Sequence, residues 1–311
     1  MIDRWVETSR AYLASQKARD SVAADPYWPK WDSPWWHMAT LWELGRSKDI
    51  PKEAAEHMLS ALSQRYLTFF PNPREPLPAG KDPWRDAQCH CALGTMYQVL
   101  RDCGLDVDAE APWIRHWFLR YQLPDGGLNC DDAAYAAAGA SSIQSTLPAL
   151  EAILRGVKGS HTPAEEAFLD RGAAYLIERR LGFRRRDGKP MDEAFFSVAF
   201  PRFYDYDVLR GLAFLVEWVI VREGKVPTEA VADVMKALHA RFPDGVVTVE
   251  RPGLADAKTL ERSAAGVWGK GGAAASFPLL DACRRPGTPI PALTKAWSGA
   301  RAAFPEALRK A

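Results

Sequence analysis

Apolar residues recur at spacings of three and four along much of this chain, as in Ala54 to Leu67, Ile143 to Leu154 and Val208 to Val221. That is the period of a helix with one buried face, and the same stretches are rich in strong helix formers. Alternation of the strand type is scarce; Val246 to Val249 is the best strand candidate. Pro and Gly gather between the helical stretches, at Pro71 to Gly80, Pro124 to Gly127 and Pro252 to Leu254. The pattern predicts an all-α fold, read as a single domain over residues 1–311.

A longer period lies over the helical one. Five segments begin with polar or aromatic residues and run into an apolar helix, starting at Pro34, Asp86, Ser141, Tyr204 and Gly271. Their starts are about 50 to 70 residues apart, the length of a helical hairpin with its loops. Between them stand amphipathic stretches, Trp5 to Gln16, Lys52 to Leu67, Ala111 to Gln122, Pro163 to Arg180 and Thr228 to Arg241. Several are followed by an Asp-Gly pair, at Asp125-Gly126, Asp187-Gly188 and Asp244-Gly245, a turn expected to stop the helix because Gly accepts positive φ. Alternating apolar and amphipathic helices suggest concentric packing, although an open solenoid or an irregular bundle satisfies the same pattern.

The segment Arg115-His-Trp-Phe-Leu-Arg-Tyr-Gln-Leu-Pro-Asp-Gly-Gly-Leu128 resembles the Gln–Trp repeat of squalene cyclase-type proteins, with Leu128 where the repeat has Trp. Phe200-Pro-Arg-Phe-Tyr-Asp-Tyr-Asp-Val-Leu-Arg-Gly-Leu212 is similar to a segment of bacterial toroid proteins related to prenyltransferases and squalene cyclases. The resemblance spans most of the chain at the level of repeats. It implies an α/α toroid of about five helical hairpins, whose inner-helix N-termini open onto a central cavity.

Charge narrows the range of partners. Lys and Arg number 40 against 39 Asp and Glu, a balance that calls for neither nucleic acid nor an anionic membrane surface. No run approaches the about 20 apolar residues of a membrane span. An odd set of five cysteines without an apolar export segment points to reduced thiols and a cytoplasmic location. Twelve tryptophans, five of them between Trp28 and Trp42, supply either core or the wall of an apolar cavity.

The sharpest chemical cluster is Asp86-Ala-Gln-Cys-His-Cys91. On a continuous helix Asp86, Cys89 and His90 share one face, while Cys91 projects about 200° away from Cys89. Carboxylate, thiolate and imidazole are all ligands of zinc, and His37 and Cys130, near other predicted helix starts, are the further candidate ligands. Protein prenyltransferases, in the resemblance, hold zinc with Asp-x-Cys and a later His, and LanC-type toroids with a Cys followed by a Cys-His pair. Asp86 to Cys89 is one residue longer than the first pattern, and Cys130 follows Cys89-His90 rather than preceding it. Zinc or another divalent metal is therefore the expected cofactor, with Asp86, Cys89, His90 and Cys130 as its ligands.

Asp205-Tyr-Asp207 resembles the Asp-x-Asp-Asp acid of class II terpenoid cyclases, with Val208 in place of the final Asp; the alternative role is a helix N-cap. Catalytic candidates are thus His37, Asp86, His90, Asp205 and Asp207, with Trp35, Trp36 and Tyr204 shaping the substrate pocket. A P-loop and a Gly-x-Ser-x-Gly elbow are both absent. The expected function is an enzyme acting on an isoprenoid-like or other small apolar molecule, or on a peptide. The alternatives are a non-catalytic toroid that binds a lipid-like ligand or peptide, and a carbohydrate-active (α/α) barrel.

Overall fold

A computed structural model describes residues 2–64, 89–131, 133–136, 139–156, 160–255, 258–264 and 268–309. The three-and-four periodicity becomes helix almost throughout. In chain order these are α1 (Ile2–Leu13), α2 (Gln16–Ala24), α3 (Pro34–Glu43), α4 (Lys52–Gln64), α5 (His90–Asp102), α6 (Val107–Glu110), α7 (Trp113–Arg120) and α8 (Ala133–Ala136). They are followed by α9 (Ile143–Arg155), α10 (Pro163–Glu178), α11 (Val208–Arg222), α12 (Thr228–Arg241), α13 (Pro278–Cys283), α14 (Pro291–Ala303) and α15 (Glu306–Arg309).

Burial separates two kinds of helix, as the alternating pattern predicts. Ten of the 13 residues of α5 and eleven of the 13 of α9 are buried, whereas α1 buries only Val6, Ser9 and Leu13. Helices α3, α5, α9 and α11 pack each on the next in chain order, and α13 comes back against α1 and α3. The α5–α9 contact is the most intimate, and it needs Gly94. A Cβ at that position would lie 2.5 Å from the backbone carbonyl of Pro148. Pro148 stands inside α9, and Gln98 Nε2 donates to the carbonyls of both Gly94 and Pro148, at 3.2 and 3.3 Å. Among the described residues, no helix is long and apolar enough to cross a membrane.

The Asp-Gly glycines do adopt positive φ: 95° at Gly126, 67° at Gly188 and 85° at Gly245. They form turns some residues beyond the helix ends rather than the stops themselves. Gln122 ties one such turn down by donating to the carbonyls of Gly126 and Phe168, at 2.8 and 2.9 Å. Asp125 in the same turn accepts from Ser141 Oγ and, at 3.1 Å, from Arg179.

Two expectations are corrected. Val246 to Val249 is not a strand; backbone hydrogen bonds tie Val247 and Val249 to Gly287, Thr288 and Ile290, around one isolated bridge, Thr248 to Pro289. The strands are β1 (Ala199–Phe200) with β2 (Arg251–Pro252), in parallel, and the antiparallel hairpin β3 (Lys258–Arg262) with β4 (Trp268–Ala273). The fifth apolar segment therefore does not start a helix at Gly271, which lies in β4; α13 begins at Pro278, where proline suits the first helical turn.

Candidate metal centre

Helix α5 begins at His90, so Cys89 sits at its N-cap with φ −113° and ψ 71°. That non-helical backbone overturns the expected divergence of Cys89 and Cys91, which assumed a continuous helix. Their Sγ atoms stand 3.9 Å apart. Cys130 arrives from the loop between α7 and α8. Its neighbour Leu128 pairs with Ser142 and donates from its backbone to Thr146 Oγ1 at 2.8 Å, and the Cys130 N–H donates to Ser145 Oγ at 3.0 Å. The first turn of α9 thus fixes Cys130 while α5 fixes the other two, and α5 packs on α9. Cys130 Sγ lies 3.7 Å from Cys91 Sγ, and all three sulfurs are within 4.8 Å of one another.

These spacings fit a metal ion. Two thiolates bound to tetrahedral zinc at about 2.3 Å stand about 3.8 Å apart. The sulfur contacts at Cys91 fall on either side of that distance. Without a metal the thiols share one site unequally. Thiol contacts from Cys89 and Cys91 hold Cys130 well below the usual cysteine range, and Cys89 and Cys91 are pushed up in turn. The three sulfurs therefore titrate as one site, sharing the first negative charge. The N-terminal ends of α5 and α9 lie beside it and favour that charge.

Of the expected ligands, Cys89 and Cys130 meet, and Cys91 joins them. His90 does not belong to the group. Its Nε2 bonds Tyr135 Oη at 3.1 Å, and that hydroxyl also accepts from the Asn129 N–H. Burial brings the His90 pKa down to about 4 against a smaller upward pull from Cys130, so the ring is neutral at pH 7. Its Nδ1 is buried with no hydrogen-bond partner. Asp86 lies outside the described residues.

The other candidates are dispersed. His37 is buried, bonded to Ser9 Oγ at 3.1 Å and stacked on Phe277 with ring centres 3.7 Å apart. Burial, with Lys17 nearby, lowers its pKa to about 3. Asp207 caps α11: its carboxylate accepts from the Arg210 and Ala199 N–H groups at 2.9 and 3.1 Å. Asp205 accepts from the Leu254 N–H at 3.3 Å and faces Arg251 at 3.7 Å; burial raises its pKa against that arginine. Trp35 and Trp36 are fully buried core, and Trp36 Nε1 donates to the Tyr27 and Pro29 carbonyls.

Tyr204 belongs to a different feature, one that periodicity does not reveal. Lys30 Nζ lies 5.9, 5.4, 5.2 and 5.3 Å from the ring centres of Tyr27, Trp28, Trp31 and Tyr204. Burial lowers the Lys30 pKa, and the fields of Cys89, Cys91 and Asp205 oppose that shift. The ammonium therefore stands within electrostatic reach of the thiols, boxed by aromatic faces. The sequence signal for it was the crowding of tryptophans around one lysine. Comparison with protein-family models, curated proteins and solved structures finds no significant match for this chain.

Proposed function

We propose that this chain is a zinc–thiolate enzyme acting on a small apolar molecule, built on an α/α toroid. The observation that carries the reading is the convergence of Cys89, Cys91 and Cys130 at zinc-compatible spacing. Three protein ligands leave one tetrahedral position for water or substrate, the arrangement of catalytic rather than structural zinc. A zinc ion there supplies Lewis acidity, or holds a bound thiol as thiolate. A dication with three thiolates carries one net negative charge, and Lys30 is the cation within reach to balance it. The rings of Tyr27, Trp28, Trp31 and Tyr204 offer an apolar, cation-tolerant wall beside it. His90 and Tyr135 brace the loop that carries Cys130.

The toroid reading rests on the serial packing of α3, α5, α9 and α11, the return of α13 to α1 and α3, and the Gln122 tether in the segment that resembles a cyclase repeat. A second reading, a non-catalytic toroid that binds a lipid-like ligand, draws on His37 and Asp207 being engaged in structural bonds.

Metal analysis of the purified chain tests the centre. One zinc per chain is expected, falling below a tenth in Cys91→Ser and in Cys130→Ser; metal-free protein indifferent to chelators rejects it. Native mass spectrometry then separates the two functional readings. Diphosphate release from a prenyl diphosphate supports an enzyme, and a retained apolar ligand without turnover supports binding.

A further inference from the structure

A cavity of about 410 Å³ opens where α3, α5 and α9 end, and none of its lining residues belongs to the thiol cluster. Five cations line it, Arg101, Arg155, Arg202, Arg210 and Lys295, against three acids, Glu43, Asp102 and Glu151. The surplus of two positive charges understates the imbalance, because the acids are already committed. Glu151 takes both Nε and Nη2 of Arg210, at 3.0 and 2.6 Å. Asp102 accepts from Trp42 Nε1 at 2.6 Å. Glu43 accepts the backbone N–H groups of Arg202 and Phe203.

The cations divide differently. Arg210 and Arg155 are saturated, the latter by Glu217 and Gln98. Arg202 is not. Its side chain is only 16% exposed, and its Nε and Nη1 are buried without a hydrogen-bond partner. The nearest carboxylates stand at 3.6 Å (Glu43) and 3.9 Å (Asp207). Arg101 donates to the Arg155 carbonyl, and Lys295 at the exposed rim makes no ion pair among the described residues. The positive charge left over at this cavity has no anion among the described residues to balance it, and an oxyanion is the group that complements it. The C-terminal ends of α5 and α9 offset part of the local positive charge, so the site suits a small anion of modest charge.

We infer that this cavity binds a small oxyanion, a phosphate or carboxylate group, gripped by Arg202 with Arg101 and Lys295 at the mouth. The volume admits a metabolite-sized molecule rather than a bare ion alone.

Isothermal titration of the full chain with inorganic phosphate, and separately with succinate, tests the site and names the anion. Saturable binding of one equivalent is expected, weakened about tenfold or more in Arg202→Gln through loss of a charge-assisted pair. Lys295→Gln, at an exposed position, is expected to weaken it about threefold without perturbing the circular dichroism spectrum. Tighter binding of phosphate assigns the site to phosphorylated ligands, and tighter binding of succinate to carboxylates. Absence of heat with both anions, or binding that neither substitution weakens, overturns the inference.

Discussion

Helices α5 and α9 carry two buried polar clusters, one at each end, and the two are built on opposite terms. At the N-terminal end, Cys89, Cys91 and Cys130 share soft, unsaturated contacts among themselves. At the C-terminal end, Glu151, Arg210, Arg155 and Gln98 form a network in which each carboxylate oxygen of Glu151 has a short, directed partner. Helix dipoles agree with the division, favouring thiolate where α5 and α9 begin and arginine where they end. The difference teaches how to read a buried polar group. A saturated network holds the fold and leaves any ligand at that end to its unsaturated neighbours, Arg202, Arg101 and Lys295; a cluster short of partners has a vacancy in its chemistry. Burial alone, which both share, does not distinguish them.

The contrast breaks first at Glu151. Glu151→Ala leaves Arg210 buried without its counter-ion and is expected to cost about 3–5 kcal/mol, read as a shifted urea midpoint. Zinc content should stay near one per chain in that variant, provided it folds. A loss under about 1 kcal/mol would show that the network is no more structural than a surface pair.

The thiol end should respond to metal instead. If zinc is bound, a hundredfold excess over Kd adds about 2.7 kcal/mol to the wild-type chain, and chelation removes it. Cys130→Ser should lose this increment while unfolding like the chelated wild type; a zinc-dependent rise in its melting temperature would sever the link between cluster and metal.

Acid sharpens the comparison, because burial acts on both histidines. His37 and His90 have folded pKa values of about 3 and about 4, below the ordinary 6.5. The unfolded chain therefore binds protons first. Their contribution to stability is complete above pH 6.5 and is lost as pH falls toward 4 and 3, by about 2 kcal/mol per buried histidine at pH 5. His37→Asn should flatten the pH profile of stability between 6.5 and 4. Glu151 acts in a lower window. Burial opposes its ionisation, but Arg210 and Arg155 prevail and hold it at about 2, so its contribution disappears only between about pH 4.5 and 2.

The smallest expected effect is at Asp207. Removing this cap in Asp207→Ala should cost about 1–2 kcal/mol in thermal unfolding. A purely structural carboxylate predicts no separate change in any turnover found, once stability is corrected for; a loss of activity beyond that correction would return Asp207 to the chemistry.

Much of the architecture was legible because it follows from periodicity. Four of the five expected inner segments become helices, at Pro34, His90, Ile143 and Val208. The fifth was misread because apolar composition at 271–280 covers both a strand and a helix start, and only Pro278 marks the boundary. Cys89 and Cys130 were legible as candidate ligands by residue type. Cys91 was not, since helical projection places it opposite Cys89, and one residue of non-helical backbone at the cap reverses that conclusion. Arg202 was invisible for a different reason: its importance lies in the cavity around it, whose other walls come from elements far away in sequence.

Gly94 acquires a further meaning from its place between the two clusters. It permits the close contact of α5, which carries Cys91, with Pro148 of α9, whose first turn holds Cys130 through Ser145. The residue works as a gauge block for a gap measured in sulfur diameters, about one turn away from the sulfurs it calibrates. A methyl group in Gly94→Ala would wedge the arms apart, and the preference should drift from zinc toward a larger thiophilic ion such as cadmium. The ratio of the two affinities, compared with wild type, reads that gap directly; an unchanged ratio would mean the loop carrying Cys130 sets the spacing by itself.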